Sequence, residues 1–147
     1  LLCFTADASE QERGARLVVA RTAAGVVMLN RYPFAAGHLL ILPHRHVSAL
    51  GELSGDEHDA LCLLVRASSE RLERAVRCEG MNVGINLGPV AGAGIAEHLH
   101  VHVVPRWPGD SNFMPVVADV RVIPQALDET RSHLAKHFAD LDEALTR

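Results

Sequence analysis

Apolar and polar positions fall into short alternating runs at both ends of a longer helical pattern. Arg16 to Ala20 and Val26 to Leu29 are predicted strands, joined through Thr22 to Gly25 by a hairpin-like turn. Tyr32-Pro33 and Ala36-Gly37 mark a loop, and His38 to Leu42 is an apolar strand ended by Pro43. Ser54 followed by Glu57 forms a capping box, the start of a helix. Leu61, Leu64, Val65, Leu72 and Val76 then recur at helical spacing, and Gly80 supplies the stop. Arg66, Glu70, Arg74 and Arg77 make the outer face of this long amphipathic helix charged.

Met81, Val83, Ile85 and Leu87 alternate as a strand does, and Gly88 to Ala96 is a glycine- and alanine-rich loop. A second alternating strand, His98 to Val104, ends at Pro105, and Asp110 to Pro115 reads as loop. From Pro124 one last helix carries Leu127, Leu134, Phe138, Leu141 and Leu145 on a single stripe. Strands with short connections and one long crossover helix predict an α+β domain on an antiparallel sheet, one domain over 1–147.

Composition narrows the class. The 147 residues are 48% apolar and 22% charged, the balance of a folded globular chain with a core. A formal net charge of −4 argues against a nucleic-acid binder but leaves room for a local phosphate pocket. No apolar run approaches the ~18 residues that span a bilayer, and no secretory signal pattern opens the chain. Three scattered cysteines, Cys3, Cys62 and Cys78, imply no disulfide framework, so a cytoplasmic location is expected. Cys62 and Cys78 are read as inert thiols within the long helix.

Candidate chemistry centres on His98, His100 and His102, separated by Leu99 and Val101. On a strand with one wet face, all three imidazoles point the same way, roughly 6–7 Å apart. Imidazole titrates near neutrality and serves as nucleophile, acid, base or metal ligand. The preceding loop, with Gly88, Gly92 and Gly94, lets a ligand approach main-chain N–H groups that can cradle an anion. A phosphate site beside a nucleophile follows from the two together. Zinc catalysis is the competing reading, since facing imidazoles suit that metal.

His98-Leu99-His100-Val101-His102-Val103-Val104 matches the His-φ-His-φ-His-φ-φ motif of the histidine-triad (HIT) superfamily. The resemblance extends through Asn86-Leu87-Gly88, Leu29 to Pro33, Gly37-His38 and Leu42 to His46, covering about 15–125. Glu97 to Phe113, with Pro105-Arg106-Trp107 and Gly109 to Phe113, looks most like the bacterial diadenosine tetraphosphate phosphorylase and hydrolase branch.

The resemblance implies a HIT-like fold and nucleotidyl transfer, with His100 attacking the α-phosphorus of a nucleoside polyphosphate to form a nucleotidyl-histidine. One His100 nitrogen would bind a backbone carbonyl near His98, the supporting histidine. His102 would hydrogen-bond the phosphate or bridging oxygen, and His38 would be a structural or substrate-bordering histidine. Asn30 matches a ribose contact, Asn86 a position beside the phosphates, and Trp107 an aromatic near the nucleotide. Gly92 and Ala93 to Ala96 match the loop around the α-phosphate, where Gly94 stands in place of the Gln or Ser of many relatives.

No metal is required by that scheme, although some bacterial relatives bind structural zinc, here matched only by Cys3, His46 and His98. His44, Arg45 and His46 read either as a basic phosphate patch or as a solvated loop. The expected partner is a purine nucleotide or dinucleoside polyphosphate, and the expected assembly a homodimer. A purine nucleoside phosphoramidase, or a nucleotide-binding module with little turnover, is the alternative.

Overall fold

The computed structural model describes residues 9–92, 97–110 and 126–146. After a short helix α1 (Glu10–Ala15), strands β1 (Val18–Thr22), β2 (Gly25–Leu29) and β3 (Leu39–Leu42) lead to the long helix α2 (Gly55–Val76). Strands β4 (Gly80–Ile85) and β5 (Val101–Arg106) follow, then helices α3 (Leu127–His137) and α4 (Leu141–Leu145). The five strands form one sheet of order β1-β2-β3-β5-β4. Each neighbouring pair is antiparallel.

The helices share one core with one face of that sheet. Val27 and Leu29 of β2, Leu39 and Ile41 of β3, and Val101 and Val103 of β5 pack with Leu61, Leu64 and Leu72 of α2. Leu134, Phe138 and Leu141 complete the cluster from the C-terminal helices. A buried side chain of this size contributes about 1.5–3 kcal/mol, so this layer fixes the sheet. Met28, Leu40 and Leu42 alternate to the opposite face and form a smaller cluster beside the histidines. The β1–β2 turn depends on Gly25, at φ +157°, because a Cβ there would come within 2.2 Å of the Leu42 carbonyl oxygen.

Helix α2 begins as its sequence predicts. The Ser54 side chain accepts from the Glu57 N–H, and the Glu57 carboxylate accepts from the Ser54 N–H at 2.8 Å. Arg45 also grips that carboxylate through Nε at 2.8 Å and Nη2 at 2.7 Å. The Arg45 pair and the Ser54 cap hold the Glu57 pKa down at about 2. Arg45 Nη2 further donates to the Glu52 carbonyl, so this arginine ties the loop after β3 to the helix start.

Several sequence boundaries are corrected. Helix α2 stops at Arg77, in the left-handed region at φ 52° and ψ 45°, while Gly80 opens β4. Cys78 therefore follows the helix and is buried, whereas Cys62 lies on it and is exposed. The single C-terminal helix is two, because Phe138 closes α3 by donating its N–H to the Ala135 carbonyl. Strand β5 runs through Pro105, which is paired with Met81 of β4. On its other side the β3 pairing stops at Leu39↔Val103, so the absent proline N–H breaks no ladder there. Asp110 is described, while the rest of the predicted 110–115 loop lies outside the described residues.

Candidate functional site

Pairing around β5 ends at Val101, opposite Ile41 on one side and Ile85 on the other. On the β3 side the chain has reached Pro43, which has no N–H to offer. On the β4 side it turns into the glycine loop at Gly88, φ 80°. His98 and His100 thus precede the paired strand, correcting the predicted strand over 98–104. Leu99 instead donates its N–H to the Val47 carbonyl at 2.6 Å. Nor is this face wet: His98 is 2% exposed and His100 5%.

Main-chain partners set the ring protons. His98 Nε2 lies 3.1 Å from the Pro43 carbonyl oxygen, and His100 Nδ1 lies 2.7 Å from the His98 carbonyl oxygen. A carbonyl only accepts, so each of these nitrogens carries a proton. For His100 that leaves Nε2 as the lone-pair nitrogen of the neutral ring. The rings of His100 and His102 stand edge to face, 4.9 Å between centroids.

His38 sits behind His102, fully buried. Its Nδ1 accepts the Phe34 N–H at 3.1 Å and lies 3.4 Å from Asn30 Nδ2. Its Nε2 is therefore the protonated nitrogen, and it donates to His102 Nδ1 at 3.0 Å. By the same logic His102 carries its proton on Nε2, and that atom is buried with no hydrogen-bond partner among the described residues. A buried donor left unpaired costs roughly 1–3 kcal/mol, which an acceptor supplied by a ligand would recover. Burial first, then the neighbouring His102 and His100, pushes the His38 pKa down to about 4. Burial likewise lowers His98 and His102, with His100 adding to both. These three rings stay neutral at pH 7.

The other predicted residues spread out from this centre. The Asn30 amide is turned inward, its Oδ1 accepting the Tyr32 N–H at 3.0 Å. Asn86 donates to the Gly92 carbonyl at 3.4 Å across the glycine loop. Ala93, Gly94, Ile95, Ala96 and Cys3 lie outside the described residues. His46 and His98 do meet, at 4.9 Å between ring centroids. No group of three or more metal-ligating side chains occurs among the described residues. His44 Nε2 lies 2.7 Å from the Thr22 carbonyl oxygen and Arg45 bonds Glu57, so both side chains brace loops.

Comparison with known proteins gives the family. The HIT domain family model matches residues 12–109. The chain belongs to the HIT family. This HIT chain is 46% identical over 123 residues to the AP-4-A phosphorylase of Mycobacterium tuberculosis, covering 84% of this chain and 63% of that protein. It is 33% identical over 90 residues to the asymmetrical bis(5'-nucleosyl)-tetraphosphatase of Schizosaccharomyces pombe, covering 61% of this chain and 49% of that protein. A histidine triad nucleotide-binding protein from Sulfolobus tokodaii superposes with a TM-score of 0.69 at 28% identity, covering 89% of this chain and 86% of that one. The α+β HIT-like fold is thereby established.

Two features of this HIT chain escaped the sequence reading. Trp107 packs on the helix side of the sheet. Its indole donates to the Arg77 carbonyl at 3.2 Å, and it lines a cavity of about 280 Å³ with Gly37, Val76 and His133. A different cavity, of about 350 Å³, opens at His102 and is lined by Phe34, Asn82, Asn86, Val104 and Arg106. Phe34 was detectable in principle, as an aromatic residue in a turn-rich loop where nothing predicts its burial.

Proposed function

We propose that this chain is a nucleotidyl hydrolase or transferase acting at the α-phosphorus of a nucleoside polyphosphate, a diadenosine polyphosphate foremost. The observation that carries the reading is the His98 carbonyl on His100 Nδ1, which directs the reactive lone pair to Nε2. The likeness to a phosphorylase and a tetraphosphatase supports the substrate class.

In the proposed reaction the His100 Nε2 lone pair forms a P–N bond while the bridging P–O bond breaks. The bond's electron pair leaves on the departing phosphate oxygen. His102 Nε2–H donates to that oxygen as its charge grows, the moment at which a positioned donor contributes most. Because His100 Nδ1 keeps its proton, the nucleotidyl-imidazole carries positive charge and is primed for displacement. Water then breaks the P–N bond to release AMP, or inorganic phosphate breaks it to release ADP. No step calls on a metal. His98 supports the loop through Pro43, and Asn30, Asn86 and Gly92 are proposed to border the nucleotide along with Ala93, Gly94, Ile95 and Ala96; Trp107, expected beside the nucleotide, lies on the helix side of the sheet and takes no part. A cytoplasmic site of action suits this substrate. Among the described residues no helix is long and apolar enough to cross a membrane.

We also infer a homodimer, because among the described residues β4 ends the sheet as an open edge, with Val83 51% exposed and Leu63 of α2 43% exposed.

Labelled diadenosine tetraphosphate tests the reaction. ATP with AMP indicates hydrolysis, and ATP with ADP in added phosphate indicates phosphorolysis. The His100→Asn protein is expected to lose at least ~10²-fold in turnover while still binding nucleotide. Unchanged turnover in that variant would remove His100 as nucleophile, and nucleotide binding with no turnover in the parent would favour a binding module.

A further inference from the structure

The cavity at His102 has walls of two kinds. Nearest His102 stands the Phe34 ring, 58% exposed. It stacks on His38 with centroids 5.0 Å apart and planes 25° from parallel, and its centroid is 6.4 Å from that of His102. At the far end Arg106 is clamped by Asp110 through two hydrogen bonds of 2.6 Å and donates to Asn82 Oδ1 at 2.9 Å. That guanidinium is neutralised where it stands, so the far wall offers dipoles and amides in place of net positive charge. The arrangement suits a flat, polar, uncharged group better than a phosphate.

Position narrows the occupant further. The cavity follows β5 from His102 through Val104 to Arg106, about 13 Å of strand. It lies on the β4 flank, whereas Asn30 follows β2 on the other side of β3 and β5. The buried His102 Nε2–H, with no partner among the described residues, stands at its inner end.

We propose that this cavity receives the nucleoside of the leaving half of a dinucleoside polyphosphate, with its base stacked on Phe34 and its edges met by Asn82 and Asn86. The idea rests on the nucleotidyl-transfer reading and adds a subsite to it. The leaving group departs from phosphorus on the side away from His100, past His102, and the cavity is what it meets there. Asn82 has its amide oxygen engaged by Arg106, which turns its N–H₂ donors toward the ligand. Recognition of the second nucleoside would make the chain prefer dinucleoside substrates over nucleotides with a bare polyphosphate tail.

The test is calorimetric binding to the full chain carrying His100→Asn, so that no ligand is consumed. Diadenosine tetraphosphate is compared with adenosine 5'-tetraphosphate, which lacks the second nucleoside. The dinucleotide is expected to bind roughly tenfold tighter, a typical return for one base on one aromatic ring. Adding Phe34→Ala is expected to bring the ratio of the two affinities close to one, and adding Phe34→Trp to restore it. Using the ratio cancels any general loosening of the His38 region. Equal affinities in the His100→Asn parent, a preference that survives Phe34→Ala, or no binding of either nucleotide would overturn the subsite. Failure of the underlying reading looks different: the preference would be present, while the chain with His100 intact would not turn over labelled diadenosine tetraphosphate.

Discussion

His38 is fully buried and bonded through both ring nitrogens, to the Phe34 N–H and to His102. Protonating it puts a proton on Nδ1 and expels the Phe34 N–H. Its pKa of about 4 lies below the ordinary histidine value of 6.5. Above pH 6.5 neither the folded nor the unfolded chain holds this proton. Between about pH 6.5 and pH 4 only the unfolded chain takes it up, so stability falls as pH falls and levels off below the folded value. The loss across that window is expected to be about 3 kcal/mol from this residue alone. Denaturant titrations at about pH 7 and about pH 4.5 measure it, and the loss should shrink in His38→Asn. Stability unchanged between the two would show that the ring already titrates normally. The spacing of His98, His100 and His102 singled out the right segment, although only His102 lies on the paired strand. It did not show which nitrogen of each ring is bonded, because the partners are the main-chain atoms of His98, Pro43 and Phe34, whose positions depend on the path of the chain.

At the scale of elements, local rules succeed where the signal is local and fail where a distant group decides. The Ser54–Glu57 box marked the start of α2 correctly because both partners lie within one turn. The end was misplaced because Arg77 adopts a conformation that its side chain disfavours by about 1 kcal/mol, supported by Trp107 donating to its carbonyl from thirty residues away. Arg77→Gly is expected to raise stability by about 1 kcal/mol, a rise in Tm of about 2–4 °C in a thermal melt. A fall in Tm would mean that the arginine side chain holds more than its backbone costs. The break between α3 and α4 has a similar origin. The residues expected on one stripe from Leu127 to Leu145 do face the core, with Leu134, Phe138 and Leu141 buried and Leu127 and Leu145 partly so. However, Asp140 pairs with Arg71 at 3.0 Å and Asp142 accepts the Ala23 N–H at 2.7 Å, drawing the last turn toward α2 and the β1–β2 turn. Neither long-range tie leaves a trace in helical periodicity.

For the whole molecule, the uneven cover over the sheet is the most consequential feature. Helix α2 shields the strands as far as β5, and the outer residues of β4 stay exposed. Alternation in Met81, Val83 and Ile85 matches β4, which stops short of Leu87, but as a pattern it implied a covered face. Among the described residues nothing covers Val83 or Leu87. A second copy would. Leu63→Glu is expected to shift the chain from dimer to monomer in sedimentation velocity while leaving far-ultraviolet dichroism unchanged. A parent protein that sediments as a monomer at micromolar concentration would remove the dimer.

Main-chain atoms hold His98, His100 and His38, through the carbonyls of Pro43 and His98 and the amide of Phe34, and His38 in turn holds His102. Such struts carry no genetic identity of their own. Their flanking codons can therefore drift widely without retuning the rings, as long as loop lengths stay constant. A one-residue insertion between Phe34 and His38 would do more harm than most replacements of the residues there, since it displaces the amide that sets the whole proton order.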